Sequence, residues 1–271
     1  MIRFVALLAA VLAASPAKPA ERVITLSSTT STQDSGLFGD ILPIFTAASG
    51  ITVHVVAVGT GQALAIGARG DADALLVHDR VGEDKFVADG FGIDRRDVMY
   101  NDFVIVGPRA DPARIRGLKG EREALRRIAA AGAPFASRGD DSGTNRMELR
   151  LWKSAGIQPD PHGGWYRDLG QGMGATLNIA AALNAYTLTD RATWANFKNR
   201  QDLEILTEGD PALFNPYGSI LVNPAKWPHV KAADARTWHE WLTSKLGLDA
   251  ITSYRIAGEQ LFFPPRAAAD H

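Results

Sequence analysis

The sequence contains no cysteine at any of its 271 positions. This absence excludes disulfide bonds, thiolate metal ligands and a cysteine nucleophile. It also excludes a lipid anchor on an N-terminal cysteine. A chain of this length can bury enough apolar surface to be stable without cross-links. We therefore expect core burial alone to stabilise the fold.

An excess of charge of one sign is also missing, since 29 Lys and Arg residues face 30 Asp and Glu residues. A general nucleic-acid binder needs a basic surplus or stripe to hold phosphates, and the chain has neither. The six histidines are scattered and no H-E-x-x-H motif occurs. The sequence therefore predicts no metal site, and no catalytic residue is assigned.

Long hydrophobic runs are absent as well, and the early apolar run from Phe4 to Ala14 has only about 11 residues. A membrane-spanning helix needs about 20. Arg3 precedes the run, and small residues with A-x-A cleavage sites after Ala17 or Ala20 follow it. This order is typical of a secretory signal. We expect residues 1–20 to be removed, which leaves an exported, periplasmic chain that starts near Glu21 and is not a lipoprotein.

Short β-branched runs alternate with helical patterns along the chain. Residues 23–26 and 51–58 read as strands, with a helix at 37–48 between them and a further strand at 74–77. Such a strand–helix–strand succession predicts an α/β fold with mainly parallel sheets flanked by helices.

Two long β-rich runs, at 97–108 and 213–223, flank the middle of the chain. They suggest a chain that leaves one lobe and later returns to it. We predict lobe I at residues 22–104 plus 218–271 and lobe II at residues 105–217. After the second run, one amphipathic helix is expected to carry Trp238, Trp241, Leu242 and Leu246.

Four corners rich in glycine or hydroxyl residues precede predicted helices, two in each lobe. They lie at 28–32, 59–61, 137–145 and 170–178, and the first alone places five hydroxyl residues in succession. A helix N-terminus offers unpaired N–H groups and partial positive charge, and Ser or Thr adds hydroxyl donors. Arg138 is the one obvious cation in these corners, and its planar fork suits a tetrahedral oxyanion. The pattern indicates an oxyanion site without lysines.

A rival interpretation concerns Asp141-Ser142-Gly143-Thr144, which matches the D-[ST]-G-[ST] pattern of aspartic proteases. Those enzymes pair two carboxylates that share a proton. Only one copy is present, because Asp34-Ser35-Gly36 continues with Leu37. A secreted aspartic hydrolase that uses Asp141 stays an alternative.

Eight motifs occur along the chain in the order STTSTQDSGL, VGTGQAL, GDADALLVHD, YNDFVIVGP, SRGDDSGTN, GMGATLN, AYTLTDRATW and NPYGSILVNP. Together they resemble the tungstate-binding periplasmic components of ABC transporters. The resemblance extends from about Ser27 to Pro224. The resemblance implies a type II periplasmic binding protein, with two lobes joined by two crossover strands. It implies capture of tungstate, or molybdate, between the lobes and delivery of the anion to a membrane permease. We expect the chain to be a monomer without cofactor or enzymatic activity.

The resemblance also implies site residues. The Thr-Thr-Thr-Ser signature of that family corresponds to Ser28, Thr29, Thr30 and Ser31, with serine in the first place. Its anion-binding arginine corresponds to Arg138. Direct ligands are therefore expected at Thr30, Ser31, Thr60 and Arg138, with Ser137, Thr144 and Thr176 as second choices.

The identity of the anion is open at this stage. Tungstate and molybdate are unprotonated near neutral pH and only accept hydrogen bonds. Phosphate usually keeps a proton and would need a carboxylate acceptor, which Asp34, Asp140 or Asp141 could supply. A phosphate-binding protein is thus an alternative. So is a periplasmic sensor subunit that pairs with a signalling receptor.

Overall fold

The computed structural model describes residues 21–265, so the expected signal peptide at 1–20 lies outside the described residues. Within this range the chain forms ten α-helices and eleven strands. The strands are β1 (Arg22–Thr29), β2 (Ile51–Val58), β3 (Ala74–Val77), β4 (Gly92–Pro108), β5 (Phe135–Ser137), β6 (Tyr166–Asp168), β7 (Thr187–Asp190), β8 (Leu203–Thr207), β9 (Phe214–Val222), β10 (Arg255–Ile256) and β11 (Glu259–Gln260). The helices are α1 (Thr30–Asp34), α2 (Leu37–Ser49), α3 (Thr60–Ala68), α4 (Arg80–Ala88), α5 (Glu121–Ala130), α6 (Gly143–Ser154), α7 (Met173–Leu183), α8 (Arg191–Asn196), α9 (Ala232–Thr243) and α10 (Lys245–Ser253).

The main sheet has the strand order β2-β1-β3-β9-β4-β7, and β8 also pairs with β4. The expected α/β class is confirmed, but this sheet is mixed rather than mainly parallel. Strand β1 pairs in parallel with β2 and β3, whereas β9 is antiparallel to both β3 and β4. The reason is topological: β4 leads the chain out of the β1–β3 region and β9 leads it back, so the two adjacent strands run in opposite directions.

Strand β4 is 17 residues long and serves two parts of the molecule. Its first part pairs with β9 as far as Asp102 opposite Phe214. Its second part pairs with β7 and β8, starting at Phe103 opposite Asp190. We keep the names lobe I and lobe II for the predicted ranges, and their boundaries stay a prediction.

Large aromatic side chains fill separate cores in the two lobes. In lobe I, the Trp238 ring lies 4.9 Å from Phe45 and 5.5 Å from Trp241 between centroids. In lobe II, Trp152 packs edge-on against Phe135 at 5.1 Å. Among residues 21–265, no helix is both long and apolar enough to cross a bilayer.

One helix prediction is wrong. Leu246 does not share a helix with Trp238, because α9 ends at Thr243 and α10 begins at Lys245. Ser244 separates the two helices in an extended conformation, and its hydroxyl accepts the N–H of Gly247 as a helix cap. As a result, Leu246 is half exposed.

Each hydroxyl-rich corner follows the carboxyl end of a strand and precedes a helix. The four corners join β1 to α1, β2 to α3, β5 to α6 and β6 to α7. In open α/β sheets, ligands bind outside the carboxyl ends of strands. The topology therefore places the four corners where a ligand site is expected.

Candidate functional site

The Arg138 guanidinium connects the two lobes. The side chain is 1 % exposed, and its Nη1 donates to the Ser31 hydroxyl at 2.9 Å. Its Nη2 donates to the Thr30 hydroxyl at 3.0 Å and to the carboxylate of Asp140 at 2.5 Å. A buried cation needs such partners because desolvation without them is costly. Arg138 thus holds lobe I hydroxyls while Asp140 balances its charge.

The turn after β1 places these hydroxyls. Thr29 is extended, with φ −108° and ψ 150°, and its side chain accepts the N–H of Thr32. This capping bond ends the strand and begins α1, which sets Thr30 and Ser31 in the first helical turn. The Ser31 hydroxyl also lies 3.5 Å from the hydroxyl of Thr144 in lobe II.

Thr60 also lies where lobe I meets lobe II, and this contact between the lobes is called the seam below. Its side chain is fully buried, and a Cβ atom added to Gly143 would lie 2.9 Å from its hydroxyl oxygen. Glycine at 143 therefore lets α6 approach Thr60 closely. Next to it, the Gly61 N–H donates to the carbonyl of Asp141 at 3.2 Å. Thr30, Ser31, Thr60, Arg138 and Thr144 are named the anion cluster below.

Two donors of the anion cluster have no hydrogen-bond partner among the described residues. They are the buried Thr60 hydroxyl and the buried Arg138 Nε. Unpaired buried donors are rare because each costs about 1–3 kcal/mol. The cluster can therefore accommodate further hydrogen-bond acceptors.

Ser137 and Thr176 are not joined to the anion cluster by any side-chain hydrogen bond in the described part of the chain. Ser137 donates to Glu148 at 2.9 Å, inside lobe II. Thr176 is buried in the first turn of α7 and donates to the carbonyl of Gln171 at 3.4 Å. The hydroxyl of Ser137 is thus engaged elsewhere, and the expected ligand roles of both residues stay predictions.

The carboxylates near the anion cluster have partners of their own. Asp140 binds Arg138, and both oxygens of Asp141 accept from Arg146, at 2.7 and 2.8 Å. The hydrogen bonds from Arg146 lower the pKa of Asp141. Burial raises the pKa of Asp34, against the opposing charge of Arg138. A carboxylate paired with an arginine is unlike the proton-sharing dyad of an aspartic protease.

Sequence reasoning missed a buried polar chain that crosses both long strands. Asn101 of β4 donates to Asp190 at 3.4 Å, and Asn215 of β9 donates to Asn101 at 2.7 Å. His78 lies 3.1 Å from the Asn215 oxygen and 3.2 Å from the Thr29 hydroxyl. The sequence did contain a signal for this chain, because these polar residues lie within or at the end of apolar strands.

The state of His78 follows from its surroundings. Burial, reinforced by the charge of Arg138, lowers its pKa to about 4, so the ring is neutral at pH 7. Because Asn215 uses its amide N–H on Asn101, its oxygen accepts from His78 Nδ1, and Nε2 accepts from Thr29. Both ring nitrogens of His78 thus have hydrogen-bond partners, as a buried structural histidine needs. The histidine links the strand crossing to the cap of α1.

Comparison with known proteins places the chain in a family. The protein-family model described as a PBP superfamily domain matches residues 14–245 of the sequence. The tungstate-binding protein TupA of Peptoclostridium acidaminophilum is 45% identical over 251 residues, which cover 90% of this chain and 86% of that protein.

Two solved structures are similar in sequence and in fold. The first is described as the tungstate ABC transporter from Geobacter sulfurreducens, with 53% identity and a TM-score of 0.80 over 87% of this chain and 100% of that one. The second is the tungstate-binding protein TupA from Desulfovibrio alaskensis, with 45% identity and a TM-score of 0.76 over 91% of this chain and 100% of that one.

Proposed function

Since the chain belongs to the PBP superfamily and to the family of the tungstate-binding ABC transporter proteins, we propose that it binds tungstate between lobes I and II. In this proposal the chain is exported, loses residues 1–20 and acts as a monomer without catalysis. The loaded form delivers the anion to an ABC transporter permease. The lobes are the ranges 22–104 plus 218–271 and 105–217.

One observation carries the proposal: buried donors from both lobes meet in the anion cluster, and within residues 21–265 two of them have no hydrogen-bond partner. Arg138 Nε belongs to lobe II and the Thr60 hydroxyl to lobe I. An oxyanion that only accepts hydrogen bonds would satisfy both donors at once. Removal of water from the closed seam would strengthen each of these bonds.

The residue roles follow from the contacts. Arg138 supplies the positive charge and a planar fork, and Thr30 and Ser31 supply hydroxyls that it already orients at 2.9–3.0 Å. Thr60 and Thr144 complete the hydroxyl set from opposite sides of the seam. Ser137 and Thr176 stay second choices.

Phosphate is a second candidate because of Asp190. Within the described residues its Oδ2 is buried without a hydrogen-bond partner, and burial raises its pKa to about 6. That oxygen could accept a hydrogen bond from the O–H of monohydrogen phosphate. Asp140 and Asp141 are already paired with arginines, which favours the fully deprotonated tungstate or molybdate. The choice of tungstate over molybdate rests on the names of the similar proteins.

Calorimetric titration of the chain from Glu21 with sodium tungstate tests the proposal, with molybdate, sulfate and phosphate as competitors. We expect one-to-one binding that excess phosphate and sulfate do not displace. Phosphate binding without tungstate binding would favour the second candidate, and no binding of any oxyanion would refute both.

The Arg138→Ala variant tests the site itself. Loss of a desolvated charge partner costs about 2–5 kcal/mol, so the Kd should rise by about 30-fold or more. Arg138→Lys should recover only part of this loss because an ammonium lacks the planar fork. The exposed Arg122→Ala variant is the control and should bind as the wild type does. An unchanged Kd in Arg138→Ala would refute the role of Arg138.

Delivery to a permease needs a separate experiment. We expect the tungstate-loaded chain to stimulate ATP hydrolysis by its reconstituted permease and ATPase, and the ligand-free chain to do so less. Stimulation of a signalling receptor instead would favour the sensor alternative.

A further inference from the structure

Asp79, Arg146 and Arg150 form an ion-pair group across the seam between the lobes. Asp79 follows β3 in lobe I, whereas both arginines lie on α6 in lobe II. Arg146 Nη1 donates to one carboxylate oxygen of Asp79 at 2.9 Å, and Arg150 Nη1 donates to the other at 2.9 Å. The Asp79 side chain is 2 % exposed. Each oxygen of one buried carboxylate therefore binds one arginine of the opposite lobe.

The local structure leaves the Asp79 carboxylate free for this role. Asp79 directly precedes α4, but its side chain makes no capping hydrogen bond to that helix. Its N–H donates instead to Glu83 at 2.9 Å. On the other side, the two arginines are four residues apart and so share one face of α6. Arg146 is further oriented by both oxygens of Asp141.

Two glycines make room for these contacts. A Cβ atom on Gly82 would lie 2.8 Å from an Asp79 oxygen and 3.1 Å from Arg146 Nη1. A Cβ atom on Gly61 would lie 1.9 Å from an Asp141 oxygen and 2.8 Å from Arg146 Nη2. Both distances for Gly61 are shorter than real Cβ atoms show. Glycine at both positions therefore leaves room for the contacts of Arg146, Asp79 and Asp141 in the arrangement seen here.

Among the described residues, no hydrogen bond of Asp79, Arg146 or Arg150 reaches the anion cluster. The nearest connections are along the chain, since Asp79 follows His78 and Arg146 lies two residues after Thr144. These three residues would therefore favour closure of the two lobes without contacting the anion. Any interaction that exists only in the closed form raises the closed fraction, and the apparent Kd falls with that fraction.

We infer that Asp79, Arg146 and Arg150 are a closure latch that sets the residence time of the bound anion. This inference rests on the proposed function, because it assigns a second set of residues to the same binding event. Association takes place in the open form, in which the latch is broken and the charges are hydrated. Dissociation requires the latch to break first, so its loss should appear in koff and not in kon.

Stopped-flow measurement of sodium tungstate binding and release tests the latch in Asp79→Asn. We expect koff to rise about tenfold or more while kon stays within about twofold. Asp84→Asn is the matched control, because Asp84 pairs with Arg80 on α4 within lobe I and should not affect release. Arg150→Gln, at a side chain that is 43 % exposed, gives a second variant if Asp79→Asn does not fold.

The outcomes separate the latch from the function. Wild-type koff in both latch variants of a tungstate-binding chain would overturn the latch and leave the function intact. If the wild type binds no oxyanion, the function fails, and small-angle scattering of the ligand-free chain decides the latch. A larger radius of gyration in Asp79→Asn than in Asp84→Asn supports the latch, and equal radii overturn it.

Discussion

Glu148 should make the stability of this protein fall as the pH rises from about 4.5 to 7. Its carboxyl is buried in lobe II and accepts hydrogen bonds from Tyr166 at 2.7 Å, Ser137 at 2.9 Å and Trp152 at 3.1 Å. Burial raises its pKa from 4.5 to about 7, although these three donors oppose the shift. The carboxyl therefore stays protonated in the folded chain at a pH at which the unfolded chain has released the proton.

The sign and magnitude follow from linkage. Below pH 4.5, both states hold the proton and the stabilisation is fully present. Between pH 4.5 and 7, only the folded state holds it, so the free energy of unfolding declines as pH rises. Above pH 7, both states are ionised and the decline ends. A difference of this size between the two pKa values corresponds to roughly 3 kcal/mol in total.

Urea unfolding of wild type and Glu148→Gln between pH 4 and 8 measures this contribution. Glutamine has the same shape, can accept from Tyr166 and Trp152, and cannot titrate. Its stability advantage over the wild type should therefore grow with pH by roughly 3 kcal/mol. The exposed Glu240→Gln variant is the control. Parallel pH profiles for wild type and Glu148→Gln would refute the assignment.

Three further predictions address the site and the packing. Thr60→Val removes a buried donor that has no partner within the described residues, and it should weaken tungstate binding by about 10- to 100-fold in calorimetry. Thr60→Ser keeps the hydroxyl and should bind as the wild type does. Equal Kd values for Thr60→Val and the wild type would exclude Thr60 as a ligand. Trp238→Ala removes a fully buried side chain and should lower the free energy of unfolding by about 3–5 kcal/mol in urea, and a loss below about 1 kcal/mol would contradict the packing. Gly39→Ala lies at a site in α2 where the new Cβ meets no atom within 4 Å, and it should raise the free energy of unfolding by about 0.5–1 kcal/mol in thermal unfolding. A lower free energy of unfolding would contradict the open space at this site.

The sequence by itself determined the α/β class and the four strand-to-helix corners. Both depend on local signals: hydrophobic periodicity, β-branched runs, and Ser, Thr or Gly residues at helix starts. Thr29 caps α1 and Ser142 caps α6, as such residue types favour. The family resemblance followed from eight motifs, four of which overlap these corners. The prediction of one helix that continues through Ser244 was wrong, because this single residue both ends α9 and caps α10.

The tertiary structure decided which side chains meet. Arg138 is 107 residues from Ser31, and Arg150 is 71 residues from Asp79, so no local pattern could pair them. It also decided that the Ser137 hydroxyl binds Glu148, although Ser137 is adjacent to Arg138 in the same corner. Consecutive residues of a strand point to opposite faces, so neighbours in sequence can belong to different surroundings. Local sequence fixes where the chain turns, and packing between distant segments fixes what each side chain contacts.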